Sequence, residues 1–134
     1  MKRQVIKITL IDEDEDDFIL ATDQLKNHHD PNCDYELKWC SNFQEGLAAL
    51  KAQASDIYIL DHMIDCRGGC EIFNELKKTH LKQPIIFLTN NNDDDSRSDF
   101  CAARKESDGL LSKRYLSESI LEQAVQFYVR NAHN

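Results

Sequence analysis

VIKITLIDEDEDD, residues 5–17, decides how the rest of the chain is read. Its first half, Val5–Ile11, is short, rich in β-branched residues and apolar on both faces, interrupted by Lys7. That is the pattern of a strand buried in a parallel sheet with helices on both sides. Six acids follow without a break, Asp12, Glu13, Asp14, Glu15, Asp16 and Asp17. A charge run is ordinarily a solvated face, and acids at the start of a helix are also favoured by its dipole. Here the run sits where a buried strand ends and a helix begins, since Phe18, Ala21 and Leu25 recur at helical spacing.

The same alternation continues outward. Ile57–Leu60 and Pro84–Leu88 are further short apolar runs, and Leu110–Leu111 marks a weaker fifth strand. Tyr35–Trp39 differs, because Tyr35, Leu37 and Trp39 alternate with Glu36 and Lys38. Period two with one wetter face predicts an edge strand. Helical stripes fill the gaps: Phe43, Leu47 and Leu50, begun by a capping box of Ser41 with Gln44; Ile72, Phe73 and Leu76; Phe100 and Ala103; and Leu121, Ala124, Val125 and Tyr128, capped by Ser117 or Ser119. Each stripe is read as core. Strand and helix thus alternate five times, which demands right-handed crossovers and a parallel sheet. The expected fold is α/β, flavodoxin-like and doubly wound, a five-stranded sheet in the order 2-1-3-4-5 with five helices. It forms one domain over residues 1–134, with no effector domain after Asn134.

Composition narrows the function classes. The chain has 134 residues, 41% hydrophobic and 30% charged, ordinary values for a globular protein. No apolar run approaches the roughly 20 residues of a membrane span, and no signal peptide opens the chain. The formal charge of −8, from 16 basic against 24 acidic residues, argues against nucleic acid as a partner. Five cysteines (Cys33, Cys40, Cys66, Cys70 and Cys101) fit no zinc spacing and are expected as reduced thiols in a cytoplasmic protein.

In the 2-1-3-4-5 order a ligand site lies beyond the carboxyl ends of the strands, at the switch point. The residues there are Asp12 and Glu13, then Asp61, then Thr89, with Lys113 after the fifth strand. Asp12, Glu13 and Asp61 should converge, because strands one and three are neighbours. Carboxylates so close repel unless a cation neutralises them, and Mg²⁺ suits an open oxygen site. Asp61 can then act as a carboxylate nucleophile towards a phosphoryl group. The Lys113 ammonium and the Thr89 hydroxyl would hold its remaining oxygens.

These residues lie in LIDEDEDD (10–17), YILDHMIDCRGG (58–69), PIIFLTN (84–90) and DGLLSK (108–113). Together they resemble the receiver domain of two-component response regulators, over nearly the whole chain. The resemblance implies that Asp12 and Glu13 are the acidic pair, Asp61 the phospho-acceptor, Thr89 the switch hydroxyl and Lys113 the family's lysine. It also implies that the Met63 carbonyl is a further ligand to Mg²⁺. Four positions depart from the family pattern: Arg114 where Pro is frequent, Asp65 in the acceptor loop, Leu110 for an aromatic residue, and Asn90 for Ala or Gly. None removes a reacting group. The bulk of Asn90 predicts slower chemistry at Asp61.

The expected function is a phosphorylation switch rather than an enzyme, limited to self-phosphorylation from small donors and self-dephosphorylation. Its expected partners are a sensor histidine kinase or histidine phosphotransfer protein and a downstream protein, with the chain a monomer or weak homodimer. The fourth helix, fifth strand and fifth helix are the expected output face. Two alternatives differ in class. A degenerate receiver would act as a phosphorylation-independent interaction module. A haloacid-dehalogenase-like phosphatase would carry a second Asp two residues after its nucleophile, where this chain has Met63.

Overall fold

The computed structural model describes residues 3–27, 30–61, 82–89 and 109–132. Strand β1 (Gln4–Ile11) leads through Asp12–Asp14 into helix α1 (Glu15–Lys26). Strand β2 (Cys33–Cys40) and helix α2 (Phe43–Ala52) follow, then β3 (Ile57–Asp61), β4 (Ile85–Thr89) and β5 (Gly109–Ser112). A 3-10 turn at Lys113–Ser117 precedes helix α3 (Ile120–Arg130). The strands form one sheet in the order β2-β1-β3-β4-β5, every pair parallel. This is the expected doubly wound order. The stripes at Ile72–Leu76 and Phe100–Ala103 lie outside the described residues, so α1, α2 and α3 are the first, second and fifth of the expected helices.

Alternation along the strands sorts the core into two layers. Ile6, Ile8 and Leu10 of β1 face α1 and α3, where they pack with Ala21, Leu25, Leu121 and Val125. Ile11, Tyr58, Leu60 and Phe87 point the other way and pack with Phe43 and Leu50 of α2. β3 and β4 are buried at every residue, as strands covered on both faces must be. β2 keeps Glu36 and Lys38 exposed at the sheet margin, which agrees with its period of two.

The helix caps differ in detail from the sequence expectation. Asn42, not Ser41, is the N-cap of α2, its Oδ1 accepting the Glu45 N–H at 2.8 Å. The Glu45 side chain reaches back to the Ser41 N–H at 3.4 Å. Asn caps as strongly as Ser, and Asn42 with Glu45 has the same spacing as Ser41 with Gln44, so the box sits one residue further on. At α3, Ser119 holds the cap position in a helical conformation, without a capping bond from its side chain. Among the described residues, no helix is long and apolar enough to cross a membrane.

Candidate functional site

The sheet register brings the predicted residues to one edge. Ile11 pairs with Leu60, so Asp12 and Asp61 emerge side by side from β1 and β3. Asp61 pairs with Leu88 and Thr89 with Ser112, which sets Thr89 and Lys113 at the same ends of β4 and β5. Asp12, Asp61 and Thr89 are all buried. Polar side chains at the ends of otherwise apolar strands are costly to bury, and each needs a partner.

Lys113 supplies the main one. Its Nζ donates to Asp61 Oδ2 at 3.3 Å, and lies 3.7 Å from Asp12 Oδ2 and 3.1 Å from Asp17 Oδ2. Burial alone would lower the Lys113 pKa, but Asp61, Asp12 and Asp17 more than offset it and hold the ammonium firmly charged. Local backbone fixes Asp12 as well. Its Oδ1 accepts the Asp14 N–H at 2.9 Å, and Asp14 in turn caps α1 by accepting the Asp16 N–H at 2.9 Å. On its other side the Asp12 carbonyl accepts the indole N–H of Trp39 at 2.7 Å, and the Trp39 ring stacks on Phe18 of α1.

One carboxylate of the cluster, Asp17, was not singled out as a ligand from the sequence. It is buried in the first turn of α1. The signal was present: Asp17, Ala21 and Leu25 stand four residues apart, so the apolar stripe of α1, carried one turn back, lands on Asp17. Glu13 is exposed and is not among the residues brought together. Met63 lies outside the described residues, as do Asp65 and Asn90.

The electrostatics ask for a further cation. Burial first, and then a hydrogen bond to Asp17, raise the Asp12 carboxyl to about 8, against the opposing pull of the Asp14 N–H. Asp12 Oδ2 and Asp17 Oδ2 are both buried, and the Lys113 ammonium faces them at 3.7 and 3.1 Å. One ammonium stands against three carboxylates, Asp12, Asp17 and Asp61, so the remaining charge is relieved by a shared proton or by a further cation. The donor set is all oxygen, which suits a hard divalent ion such as Mg²⁺. Among the described residues, no three acidic, His or Cys side chains converge to hold a metal as they stand. Lys113 occupies the middle of the carboxylates, and Glu13 faces solvent. The residues fit an open site with solvent ligands rather than a closed cage.

Residues 8–126 match the family model for the response regulator receiver domain. Among solved structures, one similar to this chain is the receiver domain of a sensor histidine kinase from Pseudomonas aeruginosa PAO1, which has magnesium coordinated in its active-site cleft. It is 16% identical, with a TM-score of 0.77 over 93% of this chain and 98% of that one. A receiver domain protein from Clostridium thermocellum is 22% identical, with a TM-score of 0.73 over 94% and 95%. The phosphorylated cyanobacterial phytochrome response regulator RcpA is 20% identical, with a TM-score of 0.73 over 96% of each chain. No curated protein matches by sequence.

Proposed function

The chain belongs to the response regulator receiver domain family, and from that premise we propose that it is a phosphoryl-accepting switch whose acceptor is the Asp61 carboxylate. The family is a signalling domain, not a classical enzyme. The observation that carries the assignment is Lys113 Nζ at 3.3 Å from Asp61 Oδ2, among buried carboxylates at the strand ends. A buried carboxylate facing an ammonium at a switch point supports that role, since the same ammonium would compensate the charge of a phosphoryl group there. In the reaction an Asp61 oxygen forms a bond to phosphorus while the bond to the donor breaks, the donor leaving with the electron pair. The donor is a phosphohistidine of a sensor kinase or phosphotransfer protein, or a small acyl phosphate.

Lys113 then pairs with a phosphoryl oxygen in place of the carboxylate oxygen, and the Thr89 hydroxyl donates to another. Asp12 and Asp61, with Glu13 and the Met63 carbonyl by family likeness, would hold Mg²⁺. Asp17 is positioned to orient that set through Asp12. Bound there, the ion supplies the positive charge that lets an anionic donor approach three carboxylates. A change at Thr89 and Lys113 passes directly into β4, β5 and the turn leading to α3, and output through protein contacts on that face follows. The domain comprises residues 1–134 and acts in the cytoplasm.

Intact-mass spectrometry after incubation with acetyl phosphate and Mg²⁺ tests the assignment. Wild type should gain one phosphoryl group, and Asp61→Asn, which keeps the shape but removes the nucleophile, should gain none. An unmodified wild type, or an Asp61→Asn variant modified at the wild-type rate, refutes it.

A further inference from the structure

β2 is the outer strand of the sheet: β1 lies on one side, and among the described residues no strand lies on the other. The ladder fixes which backbone groups turn outward. Gln4 N–H donates to Asn32 O and Asp12 N–H to Cys40 O. Groups facing a parallel neighbour come from alternate residues, so Asp34, Glu36, Lys38 and Cys40 turn their backbone to β1. Tyr35, Leu37 and Trp39 turn theirs away from it. The side chains of Tyr35 and Leu37 join the layer shared with α1, and Trp39 stacks on Phe18 of that helix. Glu36 and Lys38 therefore stand on the opposite face, that of α2.

Apart from the charged side chains of Glu36 and Lys38, the strand carries few of the usual defences of an exposed edge. It is eight residues long, contains neither Pro nor Gly, and its register runs without a bulge from Gln4↔Cys33 to Ile11↔Cys40. Open grooves border it on both faces. One of about 450 Å³ runs beside Phe18, Thr22, Tyr35 and Leu37, and one of about 330 Å³ beside Lys38, Trp39, Glu45 and Ala48.

We propose that β2 is a self-pairing edge that binds β2 of a second copy of this chain, antiparallel about a two-fold axis at Leu37. A two-fold relation between identical strands makes them antiparallel, and outward-turned residues must meet outward-turned residues. Within the strand, that leaves registers centred on Tyr35, Glu36, Leu37 or Lys38, and centring on Tyr35 sets Asp34 against Glu36. Centring on Glu36 sets Glu36 against itself, and centring on Lys38 sets Lys38 against itself. Centring on Leu37 sets Glu36 opposite Lys38 twice on one face, and on the other sets Tyr35 opposite Trp39 twice with Leu37 against its mate. Opposite charges and aromatic pairs directly across strands are favourable, and like charges are not. Lys7 lies beside Glu36 in the neighbouring strand, so the joined sheet has a row of alternating sign, Lys7, Glu36 and the mate's Lys38. The charge order selects the chain itself as partner and one register of it.

Sedimentation velocity on the whole chain over a micromolar to submillimolar range tests this. Wild type should show a concentration-dependent species of twice the 15.5 kDa monomer mass. Glu36→Lys and Lys38→Glu should each weaken it by about tenfold or more, because each sets like charges opposite twice. Both residues are exposed, so circular dichroism of each variant should remain native. The double reversal should restore the dimer, and mixing the two single variants should give a heterodimer. A wild type that stays monomeric throughout overturns the proposal. So does a dimer indifferent to the reversals, or single variants that neither the double reversal nor mixing rescues.

Discussion

At Asp17 the period of the helix and the charge of the side chain point in opposite directions. The period wins: the residue is buried in line with Ala21 and Leu25, and its charge is answered by Lys113 at 3.1 Å. Asp12, Asp61 and Thr89 were legible because each stands at the end of a buried strand, where nothing but function or a partner keeps a polar group, and Lys113 because it follows the weaker fifth strand at the same edge. Asp17 was obscured by its neighbours, since Glu15 and Asp16 in the same run are ordinary exposed first-turn acids. The difference can be measured through Trp39, the only tryptophan in the chain, whose indole N–H holds the Asp12 carbonyl. Mg²⁺ should change its emission saturably. Asp17→Asn should raise the midpoint of that titration about tenfold, the usual cost of losing a group that orients a metal ligand. An unchanged midpoint would remove Asp17 from the site, and no change in wild type would remove the ion.

Elements were legible where one period extended far enough. The buried runs of β1, β3 and β4 marked interior strands and the alternation in β2 marked an edge strand, because in a sheet covered on both faces only an edge keeps a wet face. Shorter signals did not survive. The 3-10 turn at Lys113–Ser117 is too brief for any period to appear, although Leu116 within it is fully buried. The contact of β2 with α3 joins residues far apart in sequence: Tyr35 donates to Glu122 at 2.7 Å and accepts from Gln126 at 2.7 Å. No local pattern announces a pair of that separation, and Glu122 sits buried in a stripe read as apolar. Helix α2 offers two tests at this scale. Asn42→Ala should cost about 1 kcal/mol by leaving the Glu45 N–H without its cap. Gly46→Ala should also destabilise, although Ala is the better helix former by about 1 kcal/mol. The added Cβ would meet Ile11 Cγ2 at 2.5 Å, where α2 crosses β1 close to the site. Urea unfolding decides both. A Gly46→Ala variant more stable than wild type would show that Ile11 yields freely and that the close approach is not needed.

For the whole molecule, the site makes stability depend on pH in a direction unusual for an acid. Asp12 in the folded chain titrates at about 8, far above the ordinary 3.8. Between those values the folded state holds a proton that the unfolded state has released. Stability therefore falls as pH rises through that interval. The contribution is complete below about pH 4 and gone once pH passes about 8. Lys113, also raised, loses its contribution only above the ordinary lysine value of 10.5, outside this window. Asp30 is lowered by the Asn32 N–H and the Gln126 amide, so its small contribution is present above 3.8 and fades only in acid. Asp12 is thus the group among these that acts between pH 5 and 8. The His residues also titrate there, so the informative quantity is the difference between wild type and Asp12→Asn. In EDTA, the thermal midpoint of wild type should drop with rising pH more steeply than that of the variant. Millimolar Mg²⁺ binds the charged carboxylates in preference to the protonated ones and stabilises the folded state by mass action. It should lift the wild-type curve most at the alkaline end and flatten it, while leaving Asp12→Asn nearly unmoved. Parallel curves for the two proteins in EDTA would mean that Asp12 is already charged when folded. The buried proton would then have no place in the site, and the demand for a second cation beside Lys113 would go with it.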